Sequence, residues 1–313
     1  MTKKRQHYVW QHYINNWANS KKQVYVVTRD NEFLTNTENL AVEKYFYNLE
    51  YFSESDVEFI KKFFEINETG NSLQKQNLEW INTFSQVFRL KDYLDKHQIS
   101  TSEGDELFLT ALKDVEEDCI ALLEQDFMPI LHKIMEKDLS FFDSEKNYFD
   151  LVFFLCFTYF RTKKMRKRAI DSVKGSELGN KISDIIKRTW SFTKYIFTTN
   201  MSYSLITSTF NIVILENKTN VEFITCDQPV INTKANYTTM GKVENLELYF
   251  PVTPHLSLLL SKTLTGEKSK LESLKIDEVN KYNRVILNSY EDQLYFTDVE
   301  QKELVMDSEI YDK

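Results

Sequence analysis

The sequence predicts an α+β protein in which a long helical block separates two β-rich parts. Apolar residues recur at helical spacing through most of residues 53–210, whereas runs typical of strands lie in residues 1–52 and 211–313. Only 6 glycines and 4 prolines occur in 313 residues, so few sharp bends interrupt the elements. Segregation of helices from strands is typical of antiparallel sheets. We therefore expect a single domain, residues 1–313, whose two β parts share one mostly antiparallel sheet.

The first β part is an opening segment followed by a hairpin. Residues 23–28, QVYVVT, are mostly β-branched or aromatic, which favours a strand. Residues 29–32, RDNE, are typical of a turn, and Phe33 and Leu34 resume the chain. Because an isolated hairpin is barely stable, this one needs further strands, and the C-terminal part offers them.

The helical block begins near Ser55, which with Glu58 matches the pattern of a capping box. Four further helices are predicted from the apolar periodicity, over residues 78–94, 103–136, 143–168 and 178–210. Pro129 lies within the second of them and predicts a kink or an end near residues 127–128. The acidic run Glu116-Glu117-Asp118 is typical of a solvated helix face.

The C-terminal part alternates strand patterns with turns and contains one helix. Three of the four prolines lie here, at Pro229, Pro251 and Pro254. Strands are predicted over residues 211–215, 221–225, 246–250, 256–260 and 293–297. A helix is predicted over residues 270–289.

Composition argues against several classes of protein. The formal net charge is −8, so the chain as a whole is not attracted to nucleic acid or to an anionic membrane. The cysteines Cys119, Cys156 and Cys226 are odd in number and widely spaced, which favours a reducing compartment over a disulfide framework. The most apolar run, residues 151–160, is too short to span a bilayer. We expect a cytoplasmic protein that does not bind membranes.

The opening segment concentrates residue types that bind ligands. His7 and Gln11 are four residues apart, as are His12 and Asn16, so each pair would share a helix face. A histidine in such a cluster can act as a general base or as a metal ligand. The alternative is an aromatic segment that packs the N-terminus onto the domain and leaves its polar tips at the surface.

A second candidate is Asp227, which follows a predicted strand and precedes Pro229. Because the residue before a proline is held extended, Gln228 fixes the bend that displays Asp227. Such a carboxylate can serve a metal site or a hydrolase site. It can equally bond to its own backbone in a turn.

A third candidate is the basic segment, residues 161–168, which is the only dense run of positive charge in this acidic chain. Arg161 directly follows the apolar run and should be the best held, with Lys163, Lys164 and Arg166 behind it. The segment could contact phosphate or nucleic acid. The alternative is a solvated helix end whose cations favour the helix dipole.

Six short motifs, in order along the chain, resemble those of one family, the bacterial domain of unknown function 4238. The opening HYVWQHYINNW is similar to HYVPQxYLxNF, an aromatic step follows at residues 45–47, and residues 154–162 resemble an F…QxxRT helix. FITCDQPV at residues 223–230 resembles FxTSDxPV, and FPVTP at residues 250–254 resembles FPLSP. VNKYN at residues 279–283 matches VNxxN.

The resemblance implies that the polar motif residues form one cluster, which joins both ends of the chain to the helical block. These residues are His7, Gln11, Arg161, Asp227 and Asn283. A site that draws His, Arg and Asp from distant segments is typical of active sites and anion-binding sites. Two positions depart from the motifs, since Trp10 replaces proline and Thr158 replaces glutamine. If these positions shape a pocket, that pocket is altered in this chain.

We therefore hypothesise a phosphodiester-directed hydrolase, a nuclease-type effector of bacterial conflict or phage defence. His7 would be the general base or a metal ligand, Asp227 would orient it or hold a metal, and Arg161 would stabilise the anionic phosphate. The metal could be Mg²⁺ or Mn²⁺. Substrate would be bound by a second set of residues: Gln11, Asn16, Asn283, Lys163, Lys164 and Arg166.

Two alternatives remain open at this point. The same residues could form a binding or sensing module for a phosphorylated ligand or nucleic acid, without turnover. They could instead be structural and tie the ends of the chain to its core. Phosphate-binding glycine loops, the nucleophile elbow of serine hydrolases and the kinase motifs are absent from the sequence, so none of these chemistries is indicated.

Overall fold

The computed structural model describes residues 5–98, 101–208, 210–235, 245–262 and 269–307. Within these ranges the protein is α+β, with the helical block between N-terminal and C-terminal strands, as the sequence predicts. The N-terminal part contains β1 (Arg5–His7), the short helix α1 (Gln11–Ile14), β2 (Gln23–Val27), β3 (Glu32–Asn36) and β4 (Val42–Lys44).

The helical block comprises α2 (Glu54–Phe63), α3 (Ser72–Lys96), α4 (Ser102–Met135), α5 (Glu145–Phe160), α6 (Lys163–Asp171) and α7 (Glu177–Ile206). Helix α5 lies at its centre, and nine consecutive residues from Leu151 to Tyr159 are buried. A helix that is apolar on every side is covered on every side by its neighbours. α5 accordingly packs against α4, α6 and α7.

Helix boundaries differ from the sequence prediction at two points. The capping box of α2 is formed by Ser53 and Asp56 rather than by Ser55 and Glu58, because Ser53 has the extended backbone of an N-cap and Ser55 is already helical. The single helix predicted over residues 143–168 is divided at Arg161, which ends α5. Thr162 then caps α6 by accepting the N–H of Met165.

Helix α4 continues through Pro129, so it does not end near residues 127–128, one of the two predicted outcomes. Proline in a helix interior removes a hydrogen bond and costs about 3 kcal/mol. Phe127 before it and Ile130 and Leu131 after it are all buried. Their packing on one continuous helical face outweighs the local penalty.

The C-terminal part contains strands, two helices and the short connections between them. Its elements are β5 (Asn211–Asn217), β6 (Thr225–Cys226), β7 (Ile231–Asn232), β8 (Glu247–Thr253), β9 (Leu256–Ser261), β10 (Ser269–Leu274), α8 (Ile276–Leu287), β11 (Leu294–Phe296) and α9 (Val299–Asp307). The helix predicted over residues 270–289 is wrong in its first part, because residues 269–274 pair in parallel with β5. The strand predicted over residues 221–225 is reduced to β6.

The strands form two larger sheets and one small one. Five strands pair in the order β10-β5-β9-β8-β7, antiparallel except for the β10–β5 pair. Four strands pair antiparallel in the order β3-β2-β11-β6, so the N-terminal hairpin shares a sheet with two C-terminal strands, as predicted. The prediction of one sheet for both β parts is wrong for the other C-terminal strands, which form the separate five-stranded sheet. β1 pairs with β4 and sets His7 opposite Val42. No helix in the described ranges is both long and apolar enough to cross a membrane.

Candidate active site

Arg161 lies at the junction between α5 and α6, with 2% of its side chain exposed. Its Nη1 donates to Glu124 Oε1 at 2.7 Å, and its Nη2 donates to the backbone carbonyl of His7 at 3.0 Å. The hydroxyl of Tyr47 accepts from Nε at 3.3 Å and from Nη2 at 3.2 Å. Arg161 therefore ties the N-terminal segment to α4 and fixes the position of His7.

A cleft of about 400 Å³, which we call the His7 cleft, opens beside this guanidinium. The polar side chains that line it with Arg161 come from the N-terminal segment and from α4. They are His7, Gln11, His12, Asn15, Glu117 and Glu124. The structure thus brings together three of the predicted site residues, His7, Gln11 and Arg161.

The backbone carbonyl of Leu40 holds the His7 ring in one tautomer. Its Nδ1 lies 3.0 Å from the carbonyl oxygen of Leu40, and because a carbonyl can only accept, Nδ1 carries the proton. Burial lowers the pKa of His7, and the nearby cations Arg5 and Arg161 lower it further, although the Leu40 bond opposes this. In the neutral ring the lone pair is on Nε2. A neutral histidine with an oriented Nε2 has the form of a general base.

Glu124 faces the cleft from α4, and its pKa is shifted in the opposite direction to that of His7. Burial raises the pKa of its carboxyl, while the charge and hydrogen bond of Arg161 act to lower it. The pKa values of His7 and Glu124 are thus displaced towards each other from their ordinary values, one downwards and one upwards. Such a pair can supply a base and an acid in the same site.

Trp10 and His12 form the aromatic side of the cleft. Their rings lie 5.1 Å apart, and His12 also lies 6.4 Å from the ring of His132. Burial lowers the pKa of His12, and the neighbouring His132 adds to the effect. Trp10, which replaces the motif proline, therefore does shape a pocket. Thr158, the other departure, does not line the cleft, and its hydroxyl is buried without a hydrogen-bond partner in the described structure.

Asp227 does not line the His7 cleft. Its carboxylate accepts the backbone N–H of Glu291 at 2.9 Å and of Asp292 at 2.7 Å. Burial raises the pKa of Asp227 to about 6, although these two bonds act to lower it. The side chain therefore holds the turn that precedes β11.

Asp227 nevertheless connects to His7 through the backbone. Its N–H donates to the carbonyl of Gln293 at 3.0 Å. The side-chain Oε1 of Gln293 accepts the N–H of Ala41 at 3.1 Å, and the residue before Ala41 is Leu40, the partner of His7. Asp227 thus supports the segment that orients the imidazole, at a distance from the cleft.

Asn16 and Asn283 bind backbone groups rather than the cleft. Asn16 donates to the carbonyl of Val252 at 2.8 Å. Asn283 donates to the carbonyl of Glu222 at 2.7 Å and accepts the N–H of Ile224 at 3.1 Å. Asn283 thus provides hydrogen-bond partners for the backbone of residues 221–224, which precede β6 and are not paired with another strand.

The cations of the basic segment are occupied by acceptors within the protein. Lys163 forms ion pairs with Glu43 and Asp292, and Arg166 with Glu50 at 2.8 Å. Lys164 donates to the carbonyls of Ser289 and Tyr290 at 2.8 and 3.1 Å. These contacts dock α6 onto both β parts, which favours a structural role for most of the segment.

Several residues that build the site escaped the sequence analysis. Tyr47 and Glu124 hold Arg161. Tyr47 belongs to the aromatic step at residues 45–47, which gives no sign of this contact, and Glu124 does not stand out in the sequence. The prediction that the acidic run lies on a solvated helix face is wrong for Glu116, which is buried and forms an ion pair with Lys194 of α7. Glu117 and Glu124 are seven residues apart, with Ile120 between them, which places both glutamates on the same face of a helix. This spacing is the sequence feature that could have indicated Glu124.

No group of three or more His, Cys, Asp or Glu side chains in the described ranges is arranged to hold a metal ion. The use of Mg²⁺ or Mn²⁺ therefore stays a prediction.

Comparison with known proteins gives one result. No curated protein and no solved structure matches the chain significantly. The family model described as "Protein of unknown function (DUF4238)" matches residues 5–300. This range includes all the motifs quoted above, from His7 to Asn283. The chain therefore belongs to the DUF4238 family of proteins of unknown function.

Proposed function

We propose that the protein is a phosphodiester-directed hydrolase whose active site is the His7 cleft. The observation that carries this proposal is the setting of His7, a half-buried imidazole whose pKa is lowered by burial, whose Nδ1–H is fixed by Leu40 and whose backbone carbonyl is bound by Arg161. A base for water, a cation for phosphate and a carboxyl of raised pKa line one cleft.

In the proposed reaction His7 Nε2 accepts a proton from water while the water oxygen attacks phosphorus. The bond from phosphorus to the leaving oxygen breaks, and Glu124 donates a proton to that oxygen. The products are a phosphate monoester and an alcohol. Exchange of one proton with solvent at each side chain restores the starting protonation states.

Arg161 links substrate binding to the acidity of Glu124. A phosphate oxygen that accepts from the guanidinium competes with the Glu124 carboxylate for the same cation. As that ion pair weakens, the pKa of the buried Glu124 rises further and the acid form is favoured. Gln11, whose amide lies 3.4 Å from the Thr37 hydroxyl in a weak bond, is placed to bind the substrate. Asp227 acts as a positioning residue through Gln293.

The test uses bis(p-nitrophenyl) phosphate, DNA and RNA, each with EDTA, with Mg²⁺ or with Mn²⁺. The decisive variant is His7→Asn, because the asparagine amide can keep the bond to Leu40 but lacks Nε2. The matched control is His97→Asn, a histidine at the end of α3 that stacks on Tyr93 and lies outside the cleft. We expect turnover by the wild type and the control, and a loss of about 10²–10⁴-fold in His7→Asn.

The proposal fails if the wild type cleaves none of these substrates under any metal condition. It also fails if His7→Asn retains the rate of the wild type. Binding of a phosphorylated compound in the cleft without product would instead identify a binding module.

A further inference from the structure

A second pocket lies on the other side of Tyr47, between α6, α7 and the segment after β4. Its space of about 20 Å³ is enough to hold one water-sized group. Tyr47 lines both this pocket and the His7 cleft. We call it the α7 pocket.

The α7 pocket has an excess of positive charge in a chain whose formal net charge is −8. Four cations line it, Arg166, Lys187, Arg188 and Lys194, against the two carboxylates of Glu50 and Glu116. Lys194 is 2% exposed, so its ammonium is among the most deeply buried charges of the described structure. Arg166 pairs with Glu50, Lys194 with Glu116 and Arg188 with Asp56 outside the pocket, so the remaining excess is the charge of Lys187. A concave site with an excess of one sign of charge attracts ions of the other sign.

Two buried donors at this pocket have no acceptor in the described structure. One is the hydroxyl of Ser191, a residue that is 8% exposed, and the other is Nε of Arg166. Native proteins rarely leave such groups unsatisfied, so each requires a ligand or a water. Both donate hydrogen bonds, which suits a ligand made of acceptors alone.

We propose that the α7 pocket binds a phosphate group, either as inorganic phosphate or as the end of a phosphomonoester. Because the pocket is small, a phosphate oxygen would enter it and any sugar or base would stay outside. Arg166, Lys187 and Ser191 would contact the phosphate oxygens, with the buried Lys194 behind them. This site is separate from the His7 cleft and does not depend on hydrolysis there.

The test is isothermal titration calorimetry of the full chain with inorganic phosphate, with chloride at equal ionic strength as the reference. Ser191→Ala and Lys187→Gln remove one donor each without creating a buried charge. The matched control is Lys181→Gln, an exposed lysine of α7 that pairs with Glu177 and lies outside the pocket. Melting temperatures without phosphate show that each variant is folded.

We expect wild type and Lys181→Gln to bind phosphate alike, and each pocket variant to bind about tenfold more weakly. Adenosine monophosphate and glycerol phosphate then distinguish a phosphomonoester from free phosphate, by tighter or weaker binding at the same variants. The proposal is overturned if phosphate binds no better than chloride. It is also overturned if Ser191→Ala and Lys187→Gln bind phosphate as tightly as Lys181→Gln does.

Discussion

Arg161 and Glu124 form an ion pair at 2.7 Å in which the arginine is almost fully buried and the glutamate keeps 18% of its side chain exposed at the cleft. The cation is thus fixed by the fold, while the carboxylate remains within reach of a ligand. Because the same guanidinium also holds Tyr47 and His7, the pair determines the shape of one wall of the His7 cleft.

The first prediction concerns the loss of this cation. Arg161→Leu leaves Glu124 without its donor and the His7 carbonyl with the Tyr47 hydroxyl alone, and we expect the free energy of unfolding to fall by about 3–5 kcal/mol. Urea unfolding followed by circular dichroism measures it. The control is Lys181→Leu, which breaks an exposed pair with Glu177 and should cost about 1 kcal/mol or less. Equal losses in the two variants would contradict the structural role of Arg161.

The second prediction concerns the pH dependence of catalysis, and it rests on the proposed function. His7 must be neutral, and since burial lowers its pKa below 6.5, activity should rise with pH along a limb below 6.5. Glu124 must be protonated, and since burial raises its pKa above 4.5, activity should fall along a second limb above 4.5. We expect a bell-shaped profile of kcat/KM. Residual activity of His7→Asn should lack the rising limb, and that of Glu124→Gln the falling one. If either limb persists in the variant that should remove it, that limb must be due to the titration of another group.

The third prediction concerns Asp227 and the stability of the fold. Burial raises the pKa of Asp227 from near 3.8 to about 6, so the folded protein holds this proton more tightly than the unfolded chain does. The resulting stabilisation is full below the unfolded pKa and is lost as the pH rises through about 6, a change of about 3 kcal/mol.

Asp227→Asn cannot titrate at this position and isolates that contribution. We expect the free energy of unfolding of the wild type, relative to Asp227→Asn, to fall by about 2 kcal/mol between about pH 4 and about pH 7, because part of the change lies below pH 4. Urea unfolding at several pH values measures the difference. A difference that stays constant with pH would show that Asp227 does not titrate as its burial predicts.

The fourth prediction concerns Asn283. Its replacement by alanine leaves the Ile224 N–H and the Glu222 carbonyl without a partner, and each unsatisfied buried group costs about 1–3 kcal/mol. Asn288→Ala, at the exposed C-terminal end of α8, is the control and should change stability by about 0.5 kcal/mol or less. Thermal unfolding of both variants checks this. A similar melting temperature for the two would mean that residues 221–224 do not depend on Asn283.

Much of the fold could be predicted because its strongest signals are local. The apolar run of α5 and the β-branched residues of β2 determine their elements whatever surrounds them. The break at Arg161 could not be predicted, because it depends on partners from distant segments that hold the arginine and on the bond between Thr162 and Gln228. The strand β10 was missed for the same reason, since an edge strand is recognised by its partner β5.

The site was predictable only in part. Sequence motifs correctly placed His7, Gln11 and Arg161 around one cleft. They could not separate these residues from Asn16, Asp227 and Asn283, because a polar side chain that satisfies a buried backbone group is as constrained as one that binds a ligand. Glu124 was missed, because a glutamate within a long helix carries no local sign that its face meets an arginine from another element.

The pairing of β2 with β11 has a consequence for how the molecule is made. Val26 and Tyr295 are partners across a sheet although nearly the whole chain separates them, so the contact order of this sheet is high. Ala41, next to the partner of His7, is held by Gln293, which is also near the end of the sequence. During synthesis the helical block can fold on the ribosome, but the segment that orients His7 obtains its support only when the last strand emerges. The arrangement around His7 is therefore among the later parts of the described fold to form during synthesis.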